Sequence, residues 1–214
     1  AVRTALLLAG ILGIICAAVG VIFSPWLLDI MSVPEEVRAG SLIYCRIYFG
    51  GIWAMILYNM MAGVLRAFGD SKKPLYVLVV CSVVNIVVDL ILVGLLHTGV
   101  GGAAAATVLS QIVSVVLTAY FLVKSDFLEE KIGIRTMRIC KEHMGMMINK
   151  GFPLALQSML FPIANSIVQA SINTMGTDSI AAWGICDKLD LLIWLIADSM
   201  GPVLTTYTAQ NLGA

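Results

Sequence analysis

The chain has 214 residues, 60% of them hydrophobic and only 12% charged, and its 13 basic and 13 acidic side chains cancel. A soluble domain carries about 25% charged and 45–50% apolar residues, so this balance points away from one and toward an integral membrane protein. The apolar runs are continuous rather than alternating, which favours helices over a β-barrel.

Six segments are long enough to span a bilayer. The first runs from about Thr4 to Leu28, with Ser24-Pro25 near its end. Asp29 to Gly40 reads as a polar loop containing Pro34-Glu35-Glu36. The second span runs from about Ser41 to Leu65, and Arg66 to Lys73 is a short basic turn. Pro74 suits the first turn of the third span, which ends near Leu96. His97 to Gly101 is a tight turn before the fourth span, about Gly102 to Val123. Lys124 to Lys150 is a charged connector, whose Ile132 to Ile148 part has the spacing of a helix lying along the membrane surface. The fifth span, about Gly151 to Met175, is interrupted by Pro153 and Pro162. The sixth, about Ser179 to Gln210, exceeds what a bilayer needs and is expected to tilt, protrude or bend at Gly201-Pro202.

Charge distribution sets the orientation. With six alternating spans, Arg3, the Arg66 to Lys73 turn and the connector place ten basic residues on one side. The other side has Arg38 alone in its loops, beside Asp29, Glu35, Glu36 and Asp178. The positive-inside rule then puts both chain ends and the basic loops in the cytoplasm of a multi-pass plasma-membrane protein. The five cysteines show no CxxC spacing, and four lie inside apolar runs as small hydrophobes.

The costliest residue is Asp89, in the third span. A carboxylate at bilayer depth costs roughly 2.5–3.5 kcal/mol even on the lenient insertion scale. Asn85 is four residues earlier and shares its helix face. Depth along the helices groups Asp89 with Thr107 and, near the outer end of the second span, Tyr44. Asn85 falls one turn below, and Asn59 falls deep toward the cytoplasmic end. Oxygen ligands from Asp, Asn and Thr suit a proton network or a hard cation, so Asp89, Asn85 and Thr107 would be metal ligands if the ion is Na+. The plain alternative is a carboxylate hydrogen-bonded in helix packing.

Asp187, Lys188, Asp190 and Asp198 form a second polar cluster in the sixth span. It reads either as a neutralised pair near the membrane face, with Asp198 in a cavity, or as part of a transport path. Gln157 and Asn165 are eight residues apart and share a face of the fifth span, toward a cavity or toward another helix. Eleven methionines, Met55 among them, would suit a pliable cavity wall and are also ordinary in membrane helices. Gly99 to Ala104 fits the dinucleotide pattern G-x-G-x-x-A, but no strand precedes it, and small residues there serve close helix packing. His97 and His143 stand apart with no metal spacing. No nucleophile motif, P-loop, zinc signature or nucleic-acid-binding surface is visible. The chain reads as a non-enzyme that binds no nucleic acid and needs no cofactor beyond a coupling ion, H+ or Na+.

Several motifs together resemble one transporter family. Asn59 followed by Leu65-Arg66-Ala67-Phe68-Gly69-Asp70 and Pro74 resembles the N…LRAxGD…P turn of the multidrug and toxic compound extrusion (MATE) family. Asn85…Asp89 with Gly99 to Thr107 resembles its NxxxD…GxxGAAxAT pair of helices. Gly151-Phe152-Pro153…Gln157 resembles the GxPxxxQ that opens its second half, and Gln210 to Ala214 resembles QNxGA at the end of each half's second helix. The resemblance implies an all-α fold of twelve helices in two six-helix lobes. On that template residues 1–124 are helices three to six of the first lobe, 125–150 the connector between lobes, and 151–214 the first two helices of the second lobe. The chain is then a central piece of a longer protein, partnered by that protein's remaining helices and the lipid bilayer. In the family's bacterial and archaeal branch with an acid in its fifth helix, the positions matching Tyr44, Asn59, Asn85, Asp89 and Thr107 face a first-lobe cavity.

The function implied is export of organic cations or amphipathic drugs by antiport with H+ or Na+, through alternating access. Gln157, Asn165, Asp198 and Met55 are the candidate substrate-cavity residues. The rivals are a lipid-linked oligosaccharide flippase of the same superfamily, for which only Arg46 and Lys188 offer intramembrane cations, and a channel or scaffold subunit whose polar residues only join helices.

Overall fold

The computed structural model describes residues 2–125 and 140–212. It is all-α: α1 (Val2–Ile30), α2 (Glu35–Ala67), α3 (Lys72–Asp89) running into a π-helical segment (Leu90–Leu95), α4 (Gly99–Val123), α5 (Lys141–Asn173) and α6 (Thr177–Leu212). Among the described residues, α1, α2, α3 with its π extension, α4 and the Met144–Asn173 part of α5 are long and apolar enough to cross a bilayer. The chain forms two compact units, residues 1–162 and 163–214.

Element boundaries depart from the sequence expectations for local reasons. The polar loop after the first span shrinks to Met31–Pro34, because Pro34 takes an extended backbone (φ −57°, ψ 142°) and Glu35 and Glu36 open α2. Their carboxylates complement the partial positive charge of a helix start. Arg38, the lone loop cation on this side, pairs with Asp29 at 2.5 Å and with Glu35 at 3.4 Å. α4 starts at Gly99, three residues earlier than expected. The end of the expected surface connector, Lys141 to Lys150, is the first part of α5, and residues 126–139 of that connector lie outside the described residues. Gly213 and Ala214 of the QNxGA match also lie outside them. α5 continues through Pro153 and Pro162, and α6 through Gly201 and Pro202, where breaks or bends were expected. A membrane helix tolerates a proline when neighbouring groups or local backbone adjustment satisfy the freed carbonyl.

The LRAFGD turn is a helix stop followed by a helix start. Gly69 takes φ +85°, a conformation side chains rarely adopt. Its N–H bonds the Arg66 carbonyl at 2.9 Å, and the Asp70 N–H bonds the Leu65 carbonyl at 3.0 Å, which closes α2 as a Schellman motif. The Asp70 carboxylate then accepts from the Lys73 N–H at 3.1 Å and pairs with Lys73 Nζ at 2.7 Å, capping α3. Those bonds from Lys73 hold the Asp70 carboxyl below its ordinary range. Motif residues that resemble a functional signature therefore serve to reverse the chain between two membrane helices.

In unit 1, α2 is the central helix. It packs against α1 and α4, and α4 packs in turn against α3. Lipid tails are as apolar as leucine, so such helices associate by van der Waals fit rather than by leaving water. Small residues supply the fit. Gly13 of α1 lies against the Trp53 backbone and Gly20 against the Phe49 ring. Gly51 of α2 lies so close to Val108 of α4 that a methyl group there would overlap the valine side chain. Leu6, Met61, Val64, Leu65 and Leu122 close the end of the bundle where α2 and α4 finish. Tyr58, Ala62, Val77 and Cys81 fill the adjacent space between α2 and α3. The Tyr58 hydroxyl donates to the Pro74 carbonyl at 3.4 Å, joining the same two helices.

Gly51→Leu is expected to destabilise the α2–α4 contact by roughly 1–3 kcal/mol, the usual range for overpacking. Thermal unfolding in detergent should show the loss, and Val108→Ala in the same protein should recover most of it.

Candidate functional site

A cavity of about 280 Å³ lies between α2, α3 and α4. α2 contributes Met55, Tyr58 and Asn59, and α3 contributes Leu78, Cys81, Ser82 and Asn85. α4 contributes Thr107, Ser110, Gln111 and Ser114. Helical spacing explains the convergence. Residues 55, 58 and 59, residues 78, 81, 82 and 85, and residues 107, 110, 111 and 114 are each an i, i+3, i+4 set on one face.

The hydroxyls along α4 are committed to their own helix. Thr107 Oγ1 donates to the Ala103 carbonyl at 3.1 Å, Ser110 Oγ to Thr107 at 2.8 Å, and Ser114 Oγ to Gln111 at 2.6 Å. Asn59 Nδ2 likewise donates to the Met55 carbonyl at 2.9 Å. A hydroxyl has one hydrogen and two lone pairs, so Thr107, Ser110 and Ser114 remain in the wall as acceptors.

Asp89 is one turn above Asn85 on the same face of α3 and is not among the cavity-lining residues. Its Oδ1 is buried and has no hydrogen-bond partner among the described residues. Such an atom is rare in folded proteins and demands an explanation. Asp89 is also the last α-helical residue before the π-helical segment Leu90–Leu95. There the Leu96 N–H reaches back five residues to the Ile91 carbonyl at 2.9 Å. Thr98 bonds the Leu92 carbonyl with its N–H at 3.0 Å and its hydroxyl at 2.6 Å. π-helical turns are rare and occur frequently at functional sites.

The structure thus sorts the expected site residues differently from depth arithmetic. Asn59, Asn85, Thr107 and Met55 line one cavity, whereas Asp89 and Tyr44 are outside its lining. Thr107 is deeper than expected because α4 begins at Gly99, which places it eight residues, or roughly 12 Å, along the helix. Asn59 joins because the cavity is tall. Leu78 and Asn85 both line it, and seven residues of helix span roughly 10 Å. Tyr44 stacks on Tyr48 with ring centroids 5.9 Å apart, on the face of α2 that also carries Met55. Gln157 is exposed in unit 1, and Asn165 and Asp198 are exposed in unit 2. Asp187, Lys188 and Asp190 are exposed as well, and no ion pair among the described residues joins them. Adjacent helical positions diverge, so Lys188 does not face either acid.

Sequence reasoning missed Tyr58, Leu78, Cys81, Ser82, Ser110, Gln111 and Ser114. The signal was available on α4, where Thr107, Ser110, Gln111, Ser114 and Thr118 repeat at helical spacing in an otherwise apolar run. Among the described residues no group of His, Cys, Asp and Glu has the arrangement of a metal site.

Comparison with known proteins gives a consistent picture. Residues 1–91 match the MatE family model. The chain is 32% identical over its whole length to a Bacillus subtilis (strain 168) protein named "Probable multidrug resistance protein YoeA", covering 47% of that protein. It is 26% identical, over 98% of its length and 47% of the relative's, to a protein of Shewanella oneidensis (strain ATCC 700550 / JCM 31522 / CIP 106686 / LMG 19005 / NCIMB 14063 / MR-1) named as an FAD transporter. A solved multidrug resistance MATE family transporter of the MOP superfamily, in an inward-facing conformation, superposes with a TM-score of 0.63 at 27% identity, over 79% of this chain and 36% of that one. The chain spans about half the length of the curated relatives it matches.

An unpartnered buried acceptor costs roughly 1–3 kcal/mol. Asp89→Leu is therefore expected to raise thermal stability in detergent, by a few degrees. A clear fall in the unfolding temperature would show that Oδ1 has a stabilising partner in the folded protein.

Proposed function

Because this chain belongs to the multidrug and toxic compound extrusion family, we propose that it forms part of a secondary active exporter of drug-like small molecules, driven by antiport with H+ or Na+. The observation that carries this reading is Asp89: a carboxylate in a membrane helix, with one oxygen buried and unpartnered, beside a π-helical turn. A carboxylate so placed can hold a proton, and a sodium-ion site would add Asn85, one turn away on the same helix face, and Thr107 from the cavity wall. All three offer the oxygen ligands that hard cations take.

Alternating access then links ion and substrate. An ion entering from outside neutralises Asp89 and changes the relative stability of the helix arrangements that open to each side. Substrate leaves as the ion is taken up, and the ion is released on the inner side. One charge crossing about 100 mV supplies roughly 2.3 kcal/mol, and a concentration gradient of the ion adds to it. The chain ends and the Arg66 to Lys73 turn lie in the cytoplasm, as the excess of Lys and Arg on that side dictates. The membrane is the cell membrane. Organic cations and amphipathic drugs are the expected cargo, and the names of relatives, from multidrug resistance to FAD transport, span a wide range of molecules.

The test is export from cells or proteoliposomes with Asp89→Asn. Ion-dependent export should fall at least tenfold while the variant still reaches the membrane. Unchanged export with unchanged dependence on the ion gradient would remove Asp89 from the mechanism. A lipid-linked oligosaccharide flippase or a passive channel would instead show no ion-gradient-dependent drug export in the unaltered protein.

A further inference from the structure

The start of α3 and the end of α4 lie side by side, away from the cavity and from Asp89. α3 opens at Lys72 and α4 closes at Val123. Tyr76 meets Phe121 edge-on with ring centroids 6.2 Å apart, and Phe121 meets Tyr120 at 5.7 Å. Lys72 is one turn before Tyr76 on the same face of α3, and Lys124 is one turn after Tyr120 on α4. Lys124 Nζ lies 5.5 Å from the Tyr120 ring centroid and donates to its hydroxyl at 3.3 Å. Lys72, Tyr76, Tyr120 and Lys124 are all exposed. No ion pair among the described residues engages either lysine, because Asp70, the carboxylate of the neighbouring turn, is taken by Lys73. Arg66, exposed in the last turn of α2, adds positive charge to the same end.

Both helices are long and apolar enough to cross a bilayer, over Lys72–Leu95 and Gly99–Val123. The lysines therefore sit at the membrane boundary and the tyrosines one turn inside it. Further in, the same face of α3 continues with exposed Val79 and Val83, and that of α4 with exposed Val116. This order of cation, aromatic ring and aliphatic side chain is the layering of a phospholipid. Lysine stems run along apolar surface with the ammonium at headgroup level. Tyrosine rings favour the same interface. The Tyr120 hydroxyl, which accepts from Lys124, keeps its own hydrogen to donate to a phosphate oxygen. A water-soluble anion would engage the lysines and leave the valines unused. A zwitterionic lipid would bring its own cation against the lysines. We propose that this strip is a binding site for an anionic phospholipid, with its phosphate held by Lys72, Lys124 and Tyr120 and its acyl chains along the valines. The excess of Lys and Arg at this end puts the site in the inner leaflet, whose anionic lipids attract such cations. The site stands apart from the exporter reading, and the fate of Asp89 in transport does not bear on it.

Native mass spectrometry of the full-length protein in detergent reads bound lipid directly. Phosphatidylglycerol should be retained in clear preference to phosphatidylcholine with the same acyl chains. Lys72→Gln and Lys124→Gln should each cut that preference about fivefold, the scale of one lysine at a membrane surface. Lys150→Gln removes the same charge from an exposed position on α5, outside the strip, and should leave the preference as it is. Free glycerol phosphate, which has the phosphate without acyl chains, should not displace the lipid. Unfolding temperatures show that each variant is folded. Equal retention of the two lipids, a preference that survives in folded Lys72→Gln and Lys124→Gln, an equal fall in Lys150→Gln, or displacement by glycerol phosphate would each overturn the site. Retention of neither lipid would overturn it as well, and would mean that another part of the longer protein covers this face.

Discussion

A buried carboxylate oxygen without a partner is the constraint around which unit 1 is arranged. Asp89 Oδ1 is buried within a membrane-spanning helix, and no side chain or backbone group among the described residues donates to it. A fold that existed only to pack helices would have a leucine there. The retained cost makes sense where the group changes partner during a working cycle, gaining a proton or a cation in one state and losing it in another. The π-helical turn that begins at the next residue supports the same view. It inserts an irregular register between Asp89 and Thr98, so the C-terminal end of this span is held by a different hydrogen-bond pattern from its body.

The rest of unit 1 gives that residue a fixed setting. Close glycine contacts draw α1 and α4 against α2, and the packed layer of Leu65, Leu122 and Val77 closes one end. Above that layer amides and hydroxyls face each other across α2, α3 and α4 among Met55, Leu78 and Cys81, and no hydrogen bond among the described residues joins them across the gap. The cavity is the consequence. Tight packing at one end and an unfilled space of mixed apolar and polar wall beyond it are one design, because membrane helices that cannot rely on hydrophobic association need a close-packed region to carry an open one.

Much of this was legible in the sequence, and the exceptions have physical causes. Continuous apolar runs located all six helices, and among the described residues five of them are long and apolar enough to cross a bilayer; α6, expected as the sixth span, is not one of these. Asp89 stood out for the same reason: it is the one carboxylate in the apolar run Val84 to Val93. Helix starts were misplaced where charge suggested a loop, as at Glu35 and Glu36, which a helix start welcomes. The π-helical turn has no compositional mark, because Leu90 to Leu95 would form an ordinary helix equally well. Ser82, Ser110, Gln111 and Ser114 were passed over because serine and glutamine in membrane helices commonly bond other helices. Only the spatial meeting of three faces shows that they line a space. The assignment of Asn59 turned on the height of that space, which no single helix reveals.

The central claim is that Asp89 changes its protonation or ion-bound state during transport. Infrared difference spectroscopy of the reconstituted protein reads this at the carboxyl carbonyl itself. On switching between proton-loaded and sodium-loaded or alkaline conditions, a protonated-carboxyl band should appear and disappear, and that band should be missing in Asp89→Asn. A difference spectrum that is identical in the two proteins would contradict the account.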